Sequence, residues 1–453
     1  PEKVVELKDR PEGVISTKTQ QQIAPPVRRG VFYGWIIVLV CFVNLVVVFG
    51  SRYTFGLFMD PLNREFGWSR TSLSLAFSIF TILYGFLQPV TGAMMAKHRA
   101  KKILVLGALF MAVSTIGMGA VNSLWQVFIL FGVLTAFGFS GLSLVPASVL
   151  VSRWFRRRKG SALAVMNTGV SVGQFLLAPV TMLLILTIGW RLSYVVLGAL
   201  FLFPVIPLIL LLVRDRPSEM GLLPDGDPVE GSQGSAAQGG PGAVTDKHVE
   251  LRQAFRTSPF WLLSWGYFVC GFTVNIITVH LAVLALDRGF PAMTSASIMG
   301  VVGGMNVVGI LLAGYLSDRL GRKLPLGFVY ATRALAFILL LQGRSLASLY
   351  VFAVVYGLSQ FATSPLVSAL VGDLYGNRSM GTLLGFINAS HQFGGAVGAT
   401  LAGLAFDQLG TYMPILITSV VLLFSAAVIS WLVPEKFRRL QAANRGPVPT
   451  ASR

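Results

Sequence analysis

The sequence predicts an all-α membrane protein of twelve transmembrane helices, arranged as two pseudo-symmetric bundles of six. Three observations predict it. Of 453 residues, 54% are apolar and only 12% charged, and the mean hydropathy is +0.71, far from the roughly 25% charge of a soluble domain. The interior has one long stretch that lipid would not accept, residues 214–257, rich in Gly, Pro and Ser and without an apolar helical stripe, so it reads as a soluble linker. On each side of it lies an apolar block that divides into six hydrophobic runs, the outline of a carrier built from repeats.

The elements follow in order. Residues 1–30 are a polar tail with Lys3, Lys8, Arg10, Lys18, Arg28 and Arg29 and without an apolar core, so no cleavable leader is expected and the first span serves as the insertion signal. Spans are predicted at residues 33–57, 71–96, 103–121, 124–152, 160–187 and 190–213, within a first bundle over 31–213. The second bundle, 258–433, takes spans at 258–286, 293–317, 324–343, 346–372, 380–406 and 411–433, and a tail covers 434–453. At 1.5 Å per residue, each reaches across about 30 Å of hydrocarbon once tilt and end anchoring are allowed for.

Charge fixes the expected orientation. Both tails, the linker and the even-numbered loops hold 29 of the 36 Lys and Arg, whereas the odd loops hold six, namely Arg52, Arg64, Arg70, Arg191, Arg288 and Arg344. The positive-inside rule then places both termini in the cytoplasm and the chain in the inner cell membrane. Because the +18 net charge sits in loops between spans and forms no face, nucleic acid is not an expected partner. Arg333 alone lies clearly inside a span, in the ninth, and a structural pairing with a carbonyl or side chain of a neighbouring span is expected. Cys41 and Cys270 lie in apolar runs without His or Cys at metal-ligand spacing, so they read as packing residues; no metal or cofactor is expected. Glycines such as Gly160, Gly169 and Gly173, or Gly381, Gly385, Gly394, Gly395 and Gly398, read as places where helix backbones approach closely.

The most specific motif is Gly314-Tyr315-Leu316-Ser317-Asp318-Arg319-Leu320-Gly321-Arg322-Lys323, between spans eight and nine. It resembles the signature loop of the major facilitator superfamily. Its counterpart in the first half, running from Gly92 to Lys102, carries Ala96 where the carboxylate would stand. A gate at this face therefore falls to Asp318 with Arg319 and Arg322. Further stretches resemble the bacterial branch related to monocarboxylate porters and oxalate:formate exchangers: Tyr33-Gly34-Trp35, Arg52-Tyr53-Thr54-Phe55-Gly56 with Glu65-Phe66-Gly67-Trp68-Ser69-Arg70, Arg153-Trp154-Phe155, Ser258-Pro259-Phe260-Trp261, and His391-Gln392-Phe393-Gly394-Gly395. The resemblance spans residues 31–433 and implies the major facilitator fold with alternating access. At the positions where the porters carry an Asp and an Arg in span eight this chain has Asn306 and Ile310, and where the exchangers carry a lysine in span eleven it has Ile387 or Asn388. Proton coupling through the family's pair is therefore not expected, which leaves exchange, facilitated diffusion, or coupling through His280 or His391.

The resemblance also implies a central site between the halves. Polar residues about half-way along the spans that line it are the candidates: Arg52, Tyr53, Tyr84, Asn167, Gln174, His280, Asn306, Ser364, Asn388, His391 and Gln392. With the usual cations of spans eight and eleven missing, Arg52 is the arginine left for an anionic solute, and its fork suits a carboxylate. The expected partners are a small organic solute, plausibly a mono- or dicarboxylate, with H+ or a counter-substrate, and membrane lipid, on a monomeric carrier. Two alternatives compete: export of neutral or amphipathic drug-like compounds by proton antiport, which the absence of an arginine within span four opposes, and a non-transporting membrane sensor. Neither a nucleophile with a base, nor paired carboxylates, nor an ATPase loop stands in a span, so an enzyme is not expected.

Overall fold

A computed structural model describes residues 32–226, 251–343 and 345–434, leaving aside the side chains of 96, 251 and 377–380. The tail over 1–30, most of the linker, Arg344, the Arg378 side chain and all but the first residue of the tail at 434–453 lie outside the described residues. Every regular element among the described residues is a helix. Ten of these are long and apolar enough to cross a membrane. One of the ten, Lys159–Leu212, is two spans: Gly189 turns it with φ +81, where a side chain would be strained. Asn377–Leu409 completes the twelve and falls short in apolarity because Asn388, Ser390, His391 and Gln392 occupy its middle.

Several spans begin and end as their sequences dictate. Ser69 caps span two by accepting the Ser72 backbone N–H at 3.1 Å. Pro259 and Pro414 open spans seven and twelve in the first turn, where a missing N–H costs nothing. Gly67 and Gly410 stop their helices in the left-handed conformation. Three interruptions depart from the sequence expectation. The first span breaks at Thr54 and runs on as Phe55–Phe66, well past residue 57. Span four breaks at Ser143, and span ten breaks between Ser359 and Thr363.

Equivalent helices pair within each half, the first on the fifth and the seventh on the eleventh. The main crossings between the halves are span two on eleven, span five on eight, and the extension Phe55–Phe66 of span one on seven. Without a hydrophobic force between helices in lipid, close backbone approach holds them together. A Cβ on Gly169 would lie 2.6 Å from the Phe42 carbonyl oxygen, and Gly394, Gly395 and Gly398 face span seven in the same way. Gly160, Gly381 and Gly385 meet nothing within 4 Å, so the expectation of packing fails for these three. They lie at the end of the bundle that carries the linker; we call this the linker end and its opposite the far end.

Gly169→Leu should lower the midpoint of thermal unfolding, because overpacking costs about 1–3 kcal/mol. Gly160→Leu, with open space around it, should leave the midpoint unchanged. A thermal-shift comparison in one detergent checks both.

Candidate functional site

The middle of the membrane is crossed by a layer of polar side chains where the two halves meet. Arg52 lies in the last turn of Gly34–Tyr53, where the carbonyl end of the broken helix favours a positive charge. Its side chain is buried. Nη2 donates to Asn275 Oδ1 of span seven at 3.2 Å, and the guanidinium carbon stands 5.8, 5.6 and 5.6 Å from the ring centres of Phe77, Phe80 and Phe139. Among the described residues no carboxylate pairs with it. Arg52 Nε, Asn275 Nδ2 and the Tyr53 hydroxyl are buried without hydrogen-bond partners, and so are Gln174 Oε1 and Gln392 Oε1. A cavity of about 20 Å³, room for one water, lies beside Arg52 against Ser51, Thr115, Thr135 and Tyr194.

The other residues expected at the site divide into groups. Tyr84 is buried, edge-on to Phe139 with ring centres 4.8 Å apart. Asn306 joins the halves: Nδ2 donates to Ser171 Oγ of span five at 2.9 Å, and Oδ1 accepts the Phe361 N–H at 3.1 Å, a backbone group freed by the break in span ten. Ser364, Asn388 and His391 are half-buried and Asn167 is exposed, all towards the linker end of the layer. His391 lies against Tyr267, ring centres 5.4 Å apart. His280 is not among the contacts of Arg52; it belongs to the far end. Arg333 is fully buried and donates to the Ser359 and Gln360 carbonyl oxygens at the break in span ten, and to Cys270 Sγ at 3.1 Å. Its pairing is structural, because the carbonyl end of a broken helix supplies the negative partner.

At the linker end, Asp318 is exposed and accepts from Arg322 Nη1 at 3.0 Å, while Arg319 turns away over the Tyr315 ring. Arg322 also reaches Ser317 Oγ and stands 3.5 Å from Asp373, and these carboxylates hold its guanidinium above its usual pKa. All of these contacts stay within the second half, so Asp318 does not lock the halves together in this conformation. The start of the linker instead clasps the first half. Asp215 accepts the Lys101 N–H at 3.1 Å, and Asp225 accepts the N–H groups of Arg156 and Arg157, both at 2.8 Å. These backbone donors, aided by the Arg157 charge, hold the Asp225 carboxyl below its usual range.

The far end is where the halves are joined, through residues that the sequence reading did not select. Arg70, opening span two, forks onto Asp287 at the end of span seven; Nη2 reaches Oδ1 at 2.7 Å and Nη1 reaches Oδ2 at 2.5 Å. Nη1 also donates to the Tyr412 hydroxyl at 2.7 Å. Asp407 of span eleven accepts the backbone N–H groups of Arg70 and Thr71 and the Thr71 hydroxyl. Deeper in, Ser78 reaches the Ala396 carbonyl and Thr400, and His280 is held by Ser74, Ala399 and Tyr412. Charged residues at span margins read as solvated loop charges; the usable signal was that Arg70, Asp287 and Asp407 all fall at one membrane face. The linker-end hydrogen bonds and ion pairs described above, those of Asp215, Asp225, Asp318 and Asp373, each stay within one half. The structure is thus shut at the far end by contacts between the halves.

Residues 41–396 and 305–452 match the model of the Major Facilitator Superfamily. An uncharacterized MFS-type transporter of Bacillus subtilis, YcxA, is 28% identical over 416 residues, covering 88% of this chain and 95% of the relative. Monocarboxylate transporter 13 of Rattus norvegicus is 25% identical, covering 92% of each chain. Among solved structures, a bacterial homolog of the human lysosomal transporter Spinster, inward-facing and occupied, superposes with a TM-score of 0.70 at 17% identity over 90% of this chain and 98% of its own. A mutant of the nucleoside transporter NupG superposes with a TM-score of 0.70 at 12% identity over 88% of this chain and 99% of its own.

Arg70→Gln removes the fork to Asp287 and the bond to Tyr412, worth about 1.5–3 kcal/mol for a charged hydrogen-bonded group, which is tenfold or more in the ratio of closed to open. A cysteine at Ser78, 3% exposed behind this clamp, should then react with a maleimide at least several-fold faster than in the parent background. Equal rates would show that Arg70 does not hold the far end shut.

Proposed function

Because the chain belongs to the major facilitator superfamily, a family of multi-pass membrane transporters, we propose that it carries a small organic anion bearing a carboxylate across the membrane by alternating access. The linker end lies in the cytoplasm and the far end outside, in keeping with the bias of Lys and Arg towards the tails, linker and even loops. The membrane is the inner membrane of a bacterial cell, and the carrier acts as a monomer.

One observation carries the choice of an anion: Arg52 is a buried cation without a carboxylate partner, held by one hydrogen bond of 3.2 Å and three aromatic rings. A charge at such depth costs about 2.5–3.5 kcal/mol on insertion scales, and ring contacts return only about 0.5–2 kcal/mol. Arg333 is better compensated: its Nε is unpartnered like that of Arg52, but the carbonyls of Ser359 and Gln360 face its charge. An entering carboxylate would supply what Arg52 lacks. The unpartnered donors beside it, Arg52 Nε, Asn275 Nδ2 and the Tyr53 hydroxyl, suit one carboxylate, and Gln174 and Gln392 offer acceptors to hydroxyl or amide groups on the rest of the solute. Asn388, His391, Ser364 and Asn167 line its route from the linker end. The similarity to monocarboxylate transporters supports this class of solute. With Asn306 committed to Ser171 and Phe361, neither a titratable group nor a cation stands at that position of span eight.

Alternating access then amounts to breaking the Arg70 clamp at the far end while the halves close at the linker end. Asp318, Arg319 and Arg322 lie at the margin that would meet the first half on closing.

Uptake into proteoliposomes against a panel of mono- and dicarboxylates identifies the solute. Arg52→Gln should then lose at least 90% of the transport and Arg52→Lys most of it, since lysine lacks the fork, at equal amounts of inserted protein. Near-parental transport in Arg52→Gln would remove the anion from this site.

A further inference from the structure

The hydrogen bonds around His280 assign its protonation state in the closed conformation. The side chain is 1% exposed. Nε2 lies 2.9 Å from the Ala399 carbonyl oxygen, which can only accept, so Nε2 carries hydrogen. Ser74 Oγ, 3.1 Å from the same nitrogen, agrees: its own hydrogen goes to the Arg70 carbonyl at 2.6 Å, so its oxygen accepts from Nε2. On the other side of the ring, Nδ1 lies 3.1 Å from the Tyr412 hydroxyl. That oxygen accepts from Arg70 Nη1 at 2.7 Å, and its hydrogen points to Nδ1. The chain Arg70 to Tyr412 to His280 to Ala399 is complete with a neutral imidazole. A second proton, on Nδ1, would confront a hydroxyl oxygen already taken by Arg70, strand the Tyr412 hydrogen, and bury a positive charge beside Arg70.

We propose that His280 is a proton-binding site that fills only when the far end opens, so that a proton and the Arg70 clamp exclude one another. His280, Asp287 and Asp407 all belong to the second half, whereas Arg70 belongs to the first. In the closed state both carboxylates are satisfied from the first half, Asp287 by the guanidinium fork and Asp407 by Arg70 N–H, Thr71 N–H and the Thr71 hydroxyl. Parting the halves withdraws Arg70 and leaves His280 in water near Asp287, which has lost its cation, and Asp407, which has lost its hydrogen-bond donors, the setting in which an imidazole takes up a proton. Of the other charged groups at span seven, Arg52 and Arg333 meet it at Asn275 and Cys270, further towards the linker end, Arg288 at its end donates to the Gly343 and Leu340 carbonyls, and the rest are engaged elsewhere. On Phe55–Phe66, Asp60 pairs with Arg64 at 3.0 Å and Glu65 with Arg191 at 2.7 Å. The ionizable residues of span eight, Asp318 and Arg319, stand at the linker end. The open state binds one proton more than the closed state at this site, so acid favours opening, by at most tenfold per pH unit. This assignment needs no solute and stands apart from the choice of an anion as cargo.

The test is conformational. Spin labels on cysteines at Arg64, an exposed residue of the first half, and at Met413, an exposed residue of the second, report the far-end separation by pulsed dipolar spectroscopy in nanodiscs without solute between pH 8 and pH 5. In the parent, the widely separated population should grow on acidification, approaching tenfold per pH unit below the midpoint. His280→Gln keeps a donor for Ala399 and an acceptor for Tyr412 but cannot be protonated; it should stay closed across the range. His280→Asn, a smaller neutral side chain, gives the same reading should the glutamine variant fail to fold, with a flat profile whatever its degree of closure. A parental profile without pH dependence, or an acid response retained in either variant, overturns the assignment. If Asp287→Asn or Asp407→Asn alone abolishes a response that the histidine variants keep, the carboxylates are the proton site instead.

Discussion

The fork between Arg70 and Asp287 decides which face of this protein is shut. It stands at the margin of the membrane, backed by Tyr412 and by Asp407 on the neighbouring backbone N–H groups, where partial burial makes charged hydrogen bonds strong without the full cost of desolvation. The halves are joined through Arg70, Ser78 and the mid-membrane bond from Asn306 to Ser171. Glycines such as Gly314, Gly381 and Gly385 face open space at the linker end.

The interior follows a second constraint, that backbone groups in lipid must find partners inside the protein. Each broken helix shows how this is met. At the break in span ten, Arg333 takes the carbonyls of Ser359 and Gln360 and Asn306 takes the N–H of Phe361. Both polar residues are thereby used up in structure. Arg52 sits at the end of a broken helix too, but its guanidinium donates only to the Asn275 side-chain oxygen and to no helix-end carbonyl; an unpartnered Nε is common to both arginines. The contrast between two buried arginines, one facing two helix-end carbonyls and one held by a single side-chain amide and aromatic rings, separates the scaffold from the proposed binding site.

The apolar runs, the linker and the alternation of Lys and Arg made the twelve-helix fold legible in the sequence, because they are local in the chain and each has a direct physical reading. The reading of Arg333 as a structural residue held for the same reason, since a lone charge in an outer helix has few uses. The far-end clamp was not legible. Arg70 pairs with residues 217 and 342 positions away, and a charge at the end of a span looks alike whether it meets water or another helix. The sequence puts His280 at a depth in span seven comparable to that of Arg52 in span one; its hydrogen-bond partners, from spans two, eleven and twelve, are not legible from depth alone. The breaks at Ser143 and 360–362 each precede a proline in the first turn of the next helix, Pro146 and Pro365, a signal easily passed over within an apolar run, whereas the break at Thr54 has no such proline.

The central claim is that a buried, uncompensated guanidinium selects a negatively charged solute, and direct binding tests it more closely than any transport rate. Thermal unfolding of the purified protein should be measured against rising concentrations of a carboxylate it transports and of that compound's uncharged primary amide. A ligand bound only by the folded state raises stability by an amount that grows with its concentration over its dissociation constant, about 2.7 kcal/mol at a hundredfold excess. The account predicts a concentration-dependent rise in midpoint for the carboxylate and none for the amide. Equal rises for both would contradict it, because a site built around a charge should not be indifferent to losing it.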